Sequence, residues 1–181
     1  MDDSILIVDD EPYIFKSIKR ILLDFPYKIY SASNGKEALD ILEEQKIKLV
    51  ISDEKMPEMS GTEFLSIVKE RYPDIIRIML TGHASIEAAM SAINTGEIYR
   101  FFTKPWVEIE LIFAIRSAIE KYNLESENRK LLQTIKNHRI EIKFLERKHP
   151  GITRLQRDKE GNLIIPELSE AEIAKIVANS E

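Results

Sequence analysis

The first 119 residues alternate between short apolar runs and longer segments with helical periodicity. Five apolar runs, most of them rich in β-branched or aromatic residues, are too short for ordinary helices and are predicted as strands: 5–8, 29–30, 49–51, 76–80 and 98–102. The segments with helical spacing are 12–24, 35–44, 62–71, 84–95 and 106–119. Five strand–helix repeats predict an α/β fold, with a parallel sheet covered by helices on both faces.

Residues that favour helix starts stand at the beginning of three predicted helices. Pro12 suits the first helical turn, where its missing amide hydrogen would have no partner. Asn34 is a good N-cap for the second helix, and Ser60 or Gly61 can open the third. These local signals therefore agree with the hydrophobic pattern.

From Trp106 to His149 the helical pattern continues without a proline or glycine. A helix of that length would extend about 65 Å at 1.5 Å per residue. After Tyr122 the apolar positions narrow to alternating steps of three and four residues, which is typical of a coiled coil. This seam consists of Leu124, Asn128, Leu131, Ile135, His138, Ile142 and Leu145. The pattern predicts a homodimer, with a single solvated helix as the alternative.

Two polar features bear on how such a coiled coil assembles. In a parallel register Glu141 would face the partner's Glu146, and this pair of like charges disfavours that arrangement. Asn128 at a seam position costs stability but can fix the register; its other interpretation is an ordinary surface residue. The sequence leaves parallel and antiparallel pairing open.

The final segment, residues 150–181, begins with a Pro-Gly break. Its pattern predicts a strand at 152–155, a Gly-containing turn at 158–162, a second strand at 163–165 and a helix at 170–178, opened by the capping-box residues Ser169 and Glu172. So short a segment cannot form an independent core. We expect it to pack on another element or to be mobile.

Composition excludes several classes of protein. Because none of the 181 residues is cysteine, a disulfide scaffold, a thiol nucleophile and a thiolate metal site are excluded. The chain is 44% hydrophobic with a net charge of −5, so it can form a core but lacks the basic stripe of a dedicated nucleic-acid-binding protein. No apolar run is long enough to span a membrane, and no secretory leader opens the sequence. We therefore expect a cytoplasmic protein without direct nucleic-acid or membrane binding.

Polar residues follow the predicted strands at the point where each strand ends. The carboxyl ends of parallel strands meet at one edge of the sheet, where open α/β folds bind their ligands. The residues collected there are Asp9, Asp10 and Glu11 after the first strand, Asp53 after the third, Thr81 after the fourth and Lys104 after the fifth. The sequence therefore predicts a polar site at this edge.

These groups suit phosphoryl transfer. Several carboxylates in one pocket repel each other unless a cation neutralises them, and a few carboxylates with retained waters are typical of Mg²⁺ sites. A carboxylate can attack phosphorus to give an aspartyl phosphate. The metal and a lysine would neutralise the phosphoryl oxygens, and a hydroxyl would hydrogen-bond another of them.

Four short motifs at these strand ends resemble the receiver domain of bacterial two-component response regulators, over residues 1–122. The motifs are Ile7-Val8-Asp9-Asp10-Glu11-Pro12, Asp53-Glu54-Lys55-Met56-Pro57 with Gly61, Leu80-Thr81-Gly82, and Phe101-Phe102-Thr103-Lys104-Pro105. Each is weak alone, but four in the right order are specific. The resemblance implies a flavodoxin-like, doubly wound sheet with strand order 2-1-3-4-5. Beyond it we expect a helical coiled-coil extension at 123–149 and the small tail at 150–181.

The resemblance also implies roles for individual residues. It makes Asp53 the phosphoacceptor. The implied Mg²⁺ ligands are the carboxylates of Asp9, Asp10 and Asp53 and the backbone carbonyl of Lys55. Thr81 supplies the switch hydroxyl, and Lys104 contacts the phosphoryl group.

Other positions would shape the site or transmit its state. The implied structural loop residues are Pro57, Gly61 and Pro105, and the resemblance implies a cis peptide bond before Pro105. Phe101 stands at the aromatic switch position, where the family often has tyrosine, so any rotation there would be a packing event. The side chains of Lys55 and His83 are either rim residues that modulate the phosphoryl lifetime or merely exposed loop residues.

The function implied by the resemblance is a signalling switch rather than an enzyme. Asp53 would accept a phosphoryl group from a histidine kinase, and the result would reach a downstream protein through dimerisation, the long helix or the tail. At most, the chain would catalyse its own phosphorylation and dephosphorylation. One alternative is a scaffold with a non-switching receiver. Another is an aspartate-based phosphohydrolase of the haloacid-dehalogenase type, although the Asp-x-Asp arrangement of that family is missing from the first strand.

Overall fold

A computed structural model describes residues 3–82 and 98–149, together with the backbone of 156–157 and 163–164. Five strands of the described chain form a parallel sheet in the order β2-β1-β3-β4-β5. They are β1 (Asp3–Val8), β2 (Tyr27–Ala32), β3 (Leu49–Asp53), β4 (Ile76–Thr81) and β5 (Arg100–Thr103). The predicted fold class and strand order are confirmed.

The described helices begin where the sequence places helix-starting residues. They are α1 (Pro12–Ile21), α2 (Gly35–Glu44), α3 (Gly61–Arg71) and α4 (Glu108–Lys148). The Asn34 side chain accepts a hydrogen bond from the Glu37 amide, and Ser60 and Glu63 form a capping box. The predicted helix at 84–95 lies outside the described residues.

The core has two parts, one on each face of the sheet. Along β1, Ile5 and Ile7 belong to the cluster that contains α1 and α4, whereas Leu6 and Val8 belong to the cluster that contains α2 and α3. This alternation follows from the two-residue period of a strand. Because both faces are buried, β1 appears in the sequence as a continuous apolar run.

Among β1–β5 and α1–α3, two elements differ in length from the sequence-based prediction by three residues or more. Helix α1 ends at Ile21 rather than at 24, because Leu22 leaves helical geometry while its side chain stays buried in the core. Strand β2 extends well beyond the predicted 29–30, since as an edge strand it carries half-exposed polar residues that hide its length.

The chain divides into two compact units, 1–129 and 130–181. The first contains the five-stranded sheet, and the second contains the C-terminal part of α4 and an antiparallel pair, β6 (Gln156–Arg157) and β7 (Leu163–Ile164). The sequence predicts a hairpin here; its first strand lies at 156–157 instead of 152–155, and it pairs with 163–164. The predicted helix at 170–178 lies outside the described residues, and the boundaries 122/123 and 149/150 stay predictions.

Candidate functional site

The candidate site lies at the carboxyl edge of the sheet. Asp53 and Thr81 are the last residues of β3 and β4, while Asp9 and Lys104 directly follow β1 and β5. Backbone hydrogen bonds hold these strand ends together: the Lys104 amide donates to the Thr81 carbonyl at 2.8 Å, and the Glu54 amide donates to the Leu80 carbonyl at 2.8 Å. The parallel sheet therefore brings residues that are distant in sequence to one place.

Lys104 joins the two aspartates of this edge. Its Nζ lies 2.5 Å from Asp53 Oδ1 and 2.8 Å from Asp9 Oδ2. Glu11 adds a carboxylate oxygen 3.7 Å from the same ammonium, and its backbone amide donates to Asp9 Oδ1 at 2.9 Å. The cluster therefore has one positive charge against three negative charges, and it retains an excess of negative charge.

Burial changes the acid–base properties of this cluster. Removal from water raises the pKa of Asp9, and the hydrogen bonds from Lys104 and from the Glu11 amide offset that effect only in part. For Lys104, burial acts to lower the pKa, but the hydrogen bonds to Asp53 and Asp9 outweigh it and raise the pKa above its usual value. Lys104 therefore stays positively charged, whereas a buried charge on Asp9 is costly.

The loop between β3 and α3 contacts the second carboxylate oxygen of Asp53, the one that Lys104 does not bind. The Lys55 amide donates to Asp53 Oδ2 at 2.9 Å, and the Gly61 amide donates to the Glu54 carbonyl at 2.9 Å. A Cβ atom at Gly61 would lie 1.9 Å from the backbone oxygen of Asp53, so only glycine permits this close approach. Pro57, also in this loop, accepts a hydrogen bond from the Met59 amide at 2.7 Å.

The residues expected to act as a switch are held by contacts within their own strands and core cluster. The Thr81 hydroxyl is fully buried and donates to the Gly82 carbonyl at 3.1 Å. Phe101 is half-buried and packs against the core cluster on the α2–α3 face. The peptide bond between Lys104 and Pro105 is cis, as the resemblance implied.

The rim residues are only partly covered by the structure. Asp10 and Lys55 are exposed, whereas His83 lies outside the described residues. The contact of Glu11 with Lys104 was not predicted, although its place directly after the Asp9-Asp10 pair was a signal for it.

The donor set of the edge suits a hard divalent cation. Within residues 3–82 and 98–149, no three acidic, histidine or cysteine side chains form a ready-made metal cluster. The oxygen donors at this edge are the buried carboxylates of Asp9 and Asp53, the exposed carboxylate of Asp10 and the backbone carbonyl of Lys55. Together with Lys104 these groups leave an excess of negative charge. Mg²⁺ keeps several of its water ligands when it binds a protein, so it needs only a few protein oxygen ligands such as these.

A second polar cluster, at the amino edge of the sheet, was not predicted from the sequence. Lys48, just before β3, is buried, and its Nζ lies 2.5 Å from Asp3 Oδ1 and 2.7 Å from Asn123 Oδ1. The same ammonium lies 5.7 Å from the centre of the Tyr122 ring. These contacts fasten α4 to the starts of β1 and β3.

The comparison with protein families identifies the class. The family model described as the response regulator receiver domain matches residues 5–116, and the chain therefore belongs to the receiver domain family. Receiver domains are phosphoacceptor signalling domains of two-component systems, which agrees with the aspartates and lysine at the carboxyl edge. None of the helices in the described part of the chain has the length and apolar character needed to cross a membrane.

Similar curated proteins are regulatory proteins. The chain is 34% identical over 128 residues to the hydrogenase transcriptional regulatory protein HoxA of Cupriavidus necator, and 34% identical over 140 residues to the nitrogen assimilation regulatory protein NtrX of Azorhizobium caulinodans. These alignments cover 71% and 76% of this chain but only 26% and 31% of the relatives. The chain thus spans about a quarter to a third of their length.

Solved structures show the same fold. The adenylate cyclase structure from Rhodopirellula baltica matches with a TM-score of 0.69 and 30% identity, covering 74% of this chain and 98% of that one. The signal receiver domain of an HD domain-containing protein from Pseudomonas fluorescens matches with a TM-score of 0.66 and 36% identity, covering 70% and 93%.

Proposed function

We propose that this chain is a phosphorylation-dependent switch of a two-component system, in which Asp53 accepts a phosphoryl group from a histidine kinase. The observation that carries this proposal is the position of Lys104, whose ammonium contacts Asp53 at 2.5 Å and Asp9 at 2.8 Å. A lysine held beside the acceptor carboxylate can neutralise an oxygen of the incoming phosphoryl group. We place this reaction in the cytoplasm.

The proposed transfer is a displacement at phosphorus. A carboxylate oxygen of Asp53 attacks the phosphorus of a phosphohistidine, forming a phosphorus–oxygen bond as the phosphorus–nitrogen bond breaks. The electron pair of the broken bond stays on the histidine nitrogen, which takes up a proton. The product is an acyl phosphate on Asp53, beside the ammonium of Lys104.

We assign Mg²⁺ to the same edge, held by the carboxylates of Asp9, Asp10 and Asp53 and by the backbone carbonyl of Lys55. When bound, the ion would supply positive charge that, together with Lys104, neutralises the phosphoryl oxygens. The excess negative charge of the cluster supports this assignment, because Lys104 alone does not balance Asp9, Asp53 and Glu11.

We propose that Thr81 and Phe101 transmit the phosphorylated state. The phosphoryl group adds strong acceptor oxygens, so the Thr81 hydroxyl exchanges the Gly82 carbonyl for one of them. The space that Thr81 leaves is filled by Phe101, which is only half-buried. This repacking alters the face formed by β5 and α4 and reaches a partner through α4 or the tail, with a homodimer as the output state.

The direct test is labelling of the full chain with acetyl phosphate and Mg²⁺, followed by intact-mass measurement. We expect one added phosphoryl group on the wild type and none on Asp53→Asn. The matched control is Asp40→Asn, an exposed aspartate of α2, which labels like the wild type. If Asp53→Asn labels as well as the wild type, the phosphoacceptor assignment is wrong.

A second test addresses the switch and the scaffold alternative. Solution mass and hydrogen exchange of the phosphorylated wild type are compared with those of Asp53→Asn treated in the same way. We expect slower or faster exchange in β5 and α4 only in the phosphorylated wild type. Identical mass and exchange would favour a receiver that accepts the group without switching.

A further inference from the structure

The C-terminal part of α4 has a basic face on the side away from the seam. We call it the outer face, and its positions follow one another at spacings of three and four residues, which places them side by side on a helix. Ile140 lies on this face, whereas the seam residue Ile142 lies about 200° further around the helix at 3.6 residues per turn. The outer face consists of Lys130, Gln133, Lys136, Asn137, Ile140, Lys143, Phe144 and Arg147.

The charge of the outer face has a single sign. Its four cationic side chains are exposed, and the acidic residues between 130 and 148, which are Glu141 and Glu146, both lie outside it. None of the ion pairs within residues 3–82 and 98–149 involves one of these four cations. The chain as a whole has a net charge of −5, so this positive surface is local. Its charge is available to a partner.

Two large apolar side chains lie among these cations. Ile140 and Phe144 are 66% and 55% exposed, and they are neighbours on the helix because they are four residues apart. The ammonium of Lys148 lies 4.8 Å from the centre of the Phe144 ring, so positive charge borders the ring as well. An apolar centre with a charged border is typical of a small protein–protein interface.

The apolar pair distinguishes between classes of anionic partner. The phosphates of a nucleic acid would pair with the cations, but they offer no apolar surface to Ile140 and Phe144. A helix that lies on a membrane separates a wide apolar side from its basic side, whereas here the two apolar residues are enclosed by cations on one face. An apolar patch of another protein, bordered by carboxylates, suits both kinds of residue.

We propose that the outer face of α4 binds an acidic partner protein, with the Ile140–Phe144 pair on an apolar patch and the surrounding cations paired with carboxylates. This inference specifies the chemistry of the downstream partner in the proposed function, on which it rests. Because the outer face lies opposite the seam, it stays accessible whether or not the seam is paired with a second copy of the chain.

A fluorescently labelled acidic peptide and the unphosphorylated full chain provide the test. The synthetic peptide is a helix of about six turns with leucines along one side and glutamates beside them, and a second peptide has serine in place of each leucine. Fluorescence anisotropy measures both dissociation constants. We expect the leucine peptide to bind about tenfold more tightly than the serine peptide, because only the leucine peptide has an apolar surface for Ile140 and Phe144.

Substitutions show which residues form the binding surface. Phe144→Ala should weaken binding of the leucine peptide about tenfold, whereas the matched seam variant Leu131→Ala, which removes a side chain of similar exposure, should bind like the wild type. Lys143→Glu should also weaken binding about tenfold, and Lys36→Glu, the same change at an exposed position of α2, should weaken it less than about twofold. A loss in Leu131→Ala alone would show that the peptide binds the seam and that the proposal is wrong.

Other occupants of the outer face give different results. If duplex DNA of about 20 base pairs or phosphatidylserine vesicles bind more tightly than the leucine peptide, the partner is not a protein and the proposal is wrong. If the peptide binds only after Glu167, Glu170 and Glu172 are changed to glutamine, the tail of the chain occupies the face, which also contradicts the proposal. Absence of peptide binding in every variant would overturn it too. Labelling of Asp53 in the same variants shows independently whether the phosphoacceptor function stands.

Discussion

Two lysines occupy equivalent places at opposite edges of one sheet, and their surroundings differ in charge. At the amino edge, Lys48 is paired with one carboxylate, Asp3, and with the neutral amide of Asn123. At the carboxyl edge, Lys104 contacts Asp9, Asp53 and, more distantly, Glu11. The first cluster is balanced, whereas the second keeps an excess of negative charge.

This difference in charge indicates that the cluster at the amino edge stabilises the fold, whereas the cluster at the carboxyl edge is suited to bind a ligand. A balanced, closed ion pair holds elements in position and has no capacity for a further ligand. An unbalanced cluster is less favourable on its own, but it attracts cations, and a bound metal ion can relieve its excess negative charge. We therefore expect substitutions at the two edges to affect different measurements.

Removing the ammonium at the carboxyl edge should have the largest effect. Lys104→Met is expected to lower the rate of Asp53 labelling by acetyl phosphate about a hundredfold, because one donor to the phosphoryl oxygens is lost. Lys48→Met, which makes the same chemical change at the other edge, should label at the wild-type rate under conditions where it is folded. Equal losses in both variants would show that the two edges do not differ in function.

Two glycines at the carboxyl edge, Gly61 and Gly82, differ in how closely the backbone of another residue approaches them. Gly61→Ala should lower the free energy of unfolding by about 3 kcal/mol, because its Cβ would lie 1.9 Å from the Asp53 backbone oxygen. Gly82→Ala is the matched control, since a Cβ there meets no described atom within 4 Å, and its effect should stay within about 0.5 kcal/mol. Urea unfolding of both variants measures this, and equal effects would contradict the predicted contact.

At the amino edge the expected effect is on stability alone. Lys48→Met should lower the free energy of unfolding by about 2–3 kcal/mol, because it leaves Asp3 and Asn123 without their shared donor. Urea unfolding measures the loss. An unchanged unfolding free energy would mean that the cluster does not fasten α4.

Mg²⁺ should stabilise the protein through the carboxyl edge only. At ten times its dissociation constant the ion is expected to add about 1.4 kcal/mol to the free energy of unfolding, and Asp10→Asn should abolish most of this gain. Asp3→Asn, a matched change at the amino edge, should keep it. Thermal unfolding with and without Mg²⁺ measures the shift, and the assigned metal site is wrong if Asp10→Asn responds like the wild type.

The smallest expected effect is a pH dependence. Burial raises the pKa of Asp9 in the folded protein above its ordinary value of 3.8. Between pH 3.8 and this raised pKa, the folded protein therefore binds more protons than the unfolded chain. The stability that Asp9 contributes is therefore present below pH 3.8 and is lost as the pH rises through its folded pKa. The unfolding free energy of Asp9→Asn, relative to the wild type, should increase across this window. A constant difference would contradict the role of burial.

Sequence patterns were sufficient to locate the five strands and to predict which polar residues meet at the carboxyl edge of the sheet. Strands buried on both faces, such as β1 and β3, are continuous apolar runs, and the residue after each strand is placed by topology alone. The edge strand β2 was underestimated, because its half-exposed positions carry polar residues such as Lys28 and Ser31. The strand order came from the resemblance, since periodicity does not fix which strands are neighbours.

The amino-edge cluster could not be predicted in the same way. Lys48 and Asn123 are separated by 75 residues, and no motif links them. The available signal was a lysine between Ile47 and Leu49, two residues with fully apolar side chains. Which acceptors would satisfy it depends on where α4 crosses the starts of the strands, and that is decided by tertiary packing.

The main chain and the side chain of Thr81 form hydrogen bonds with different residues. Its carbonyl accepts a hydrogen bond from the Lys104 amide at 2.8 Å, while its hydroxyl donates a longer bond, of 3.1 Å, to the Gly82 carbonyl. Rotation about the single Cα–Cβ bond therefore exchanges one hydrogen bond and leaves every strand where it is. In the switch that we propose, the signal therefore begins with rotation of one small side chain, and no part of the sheet has to unfold.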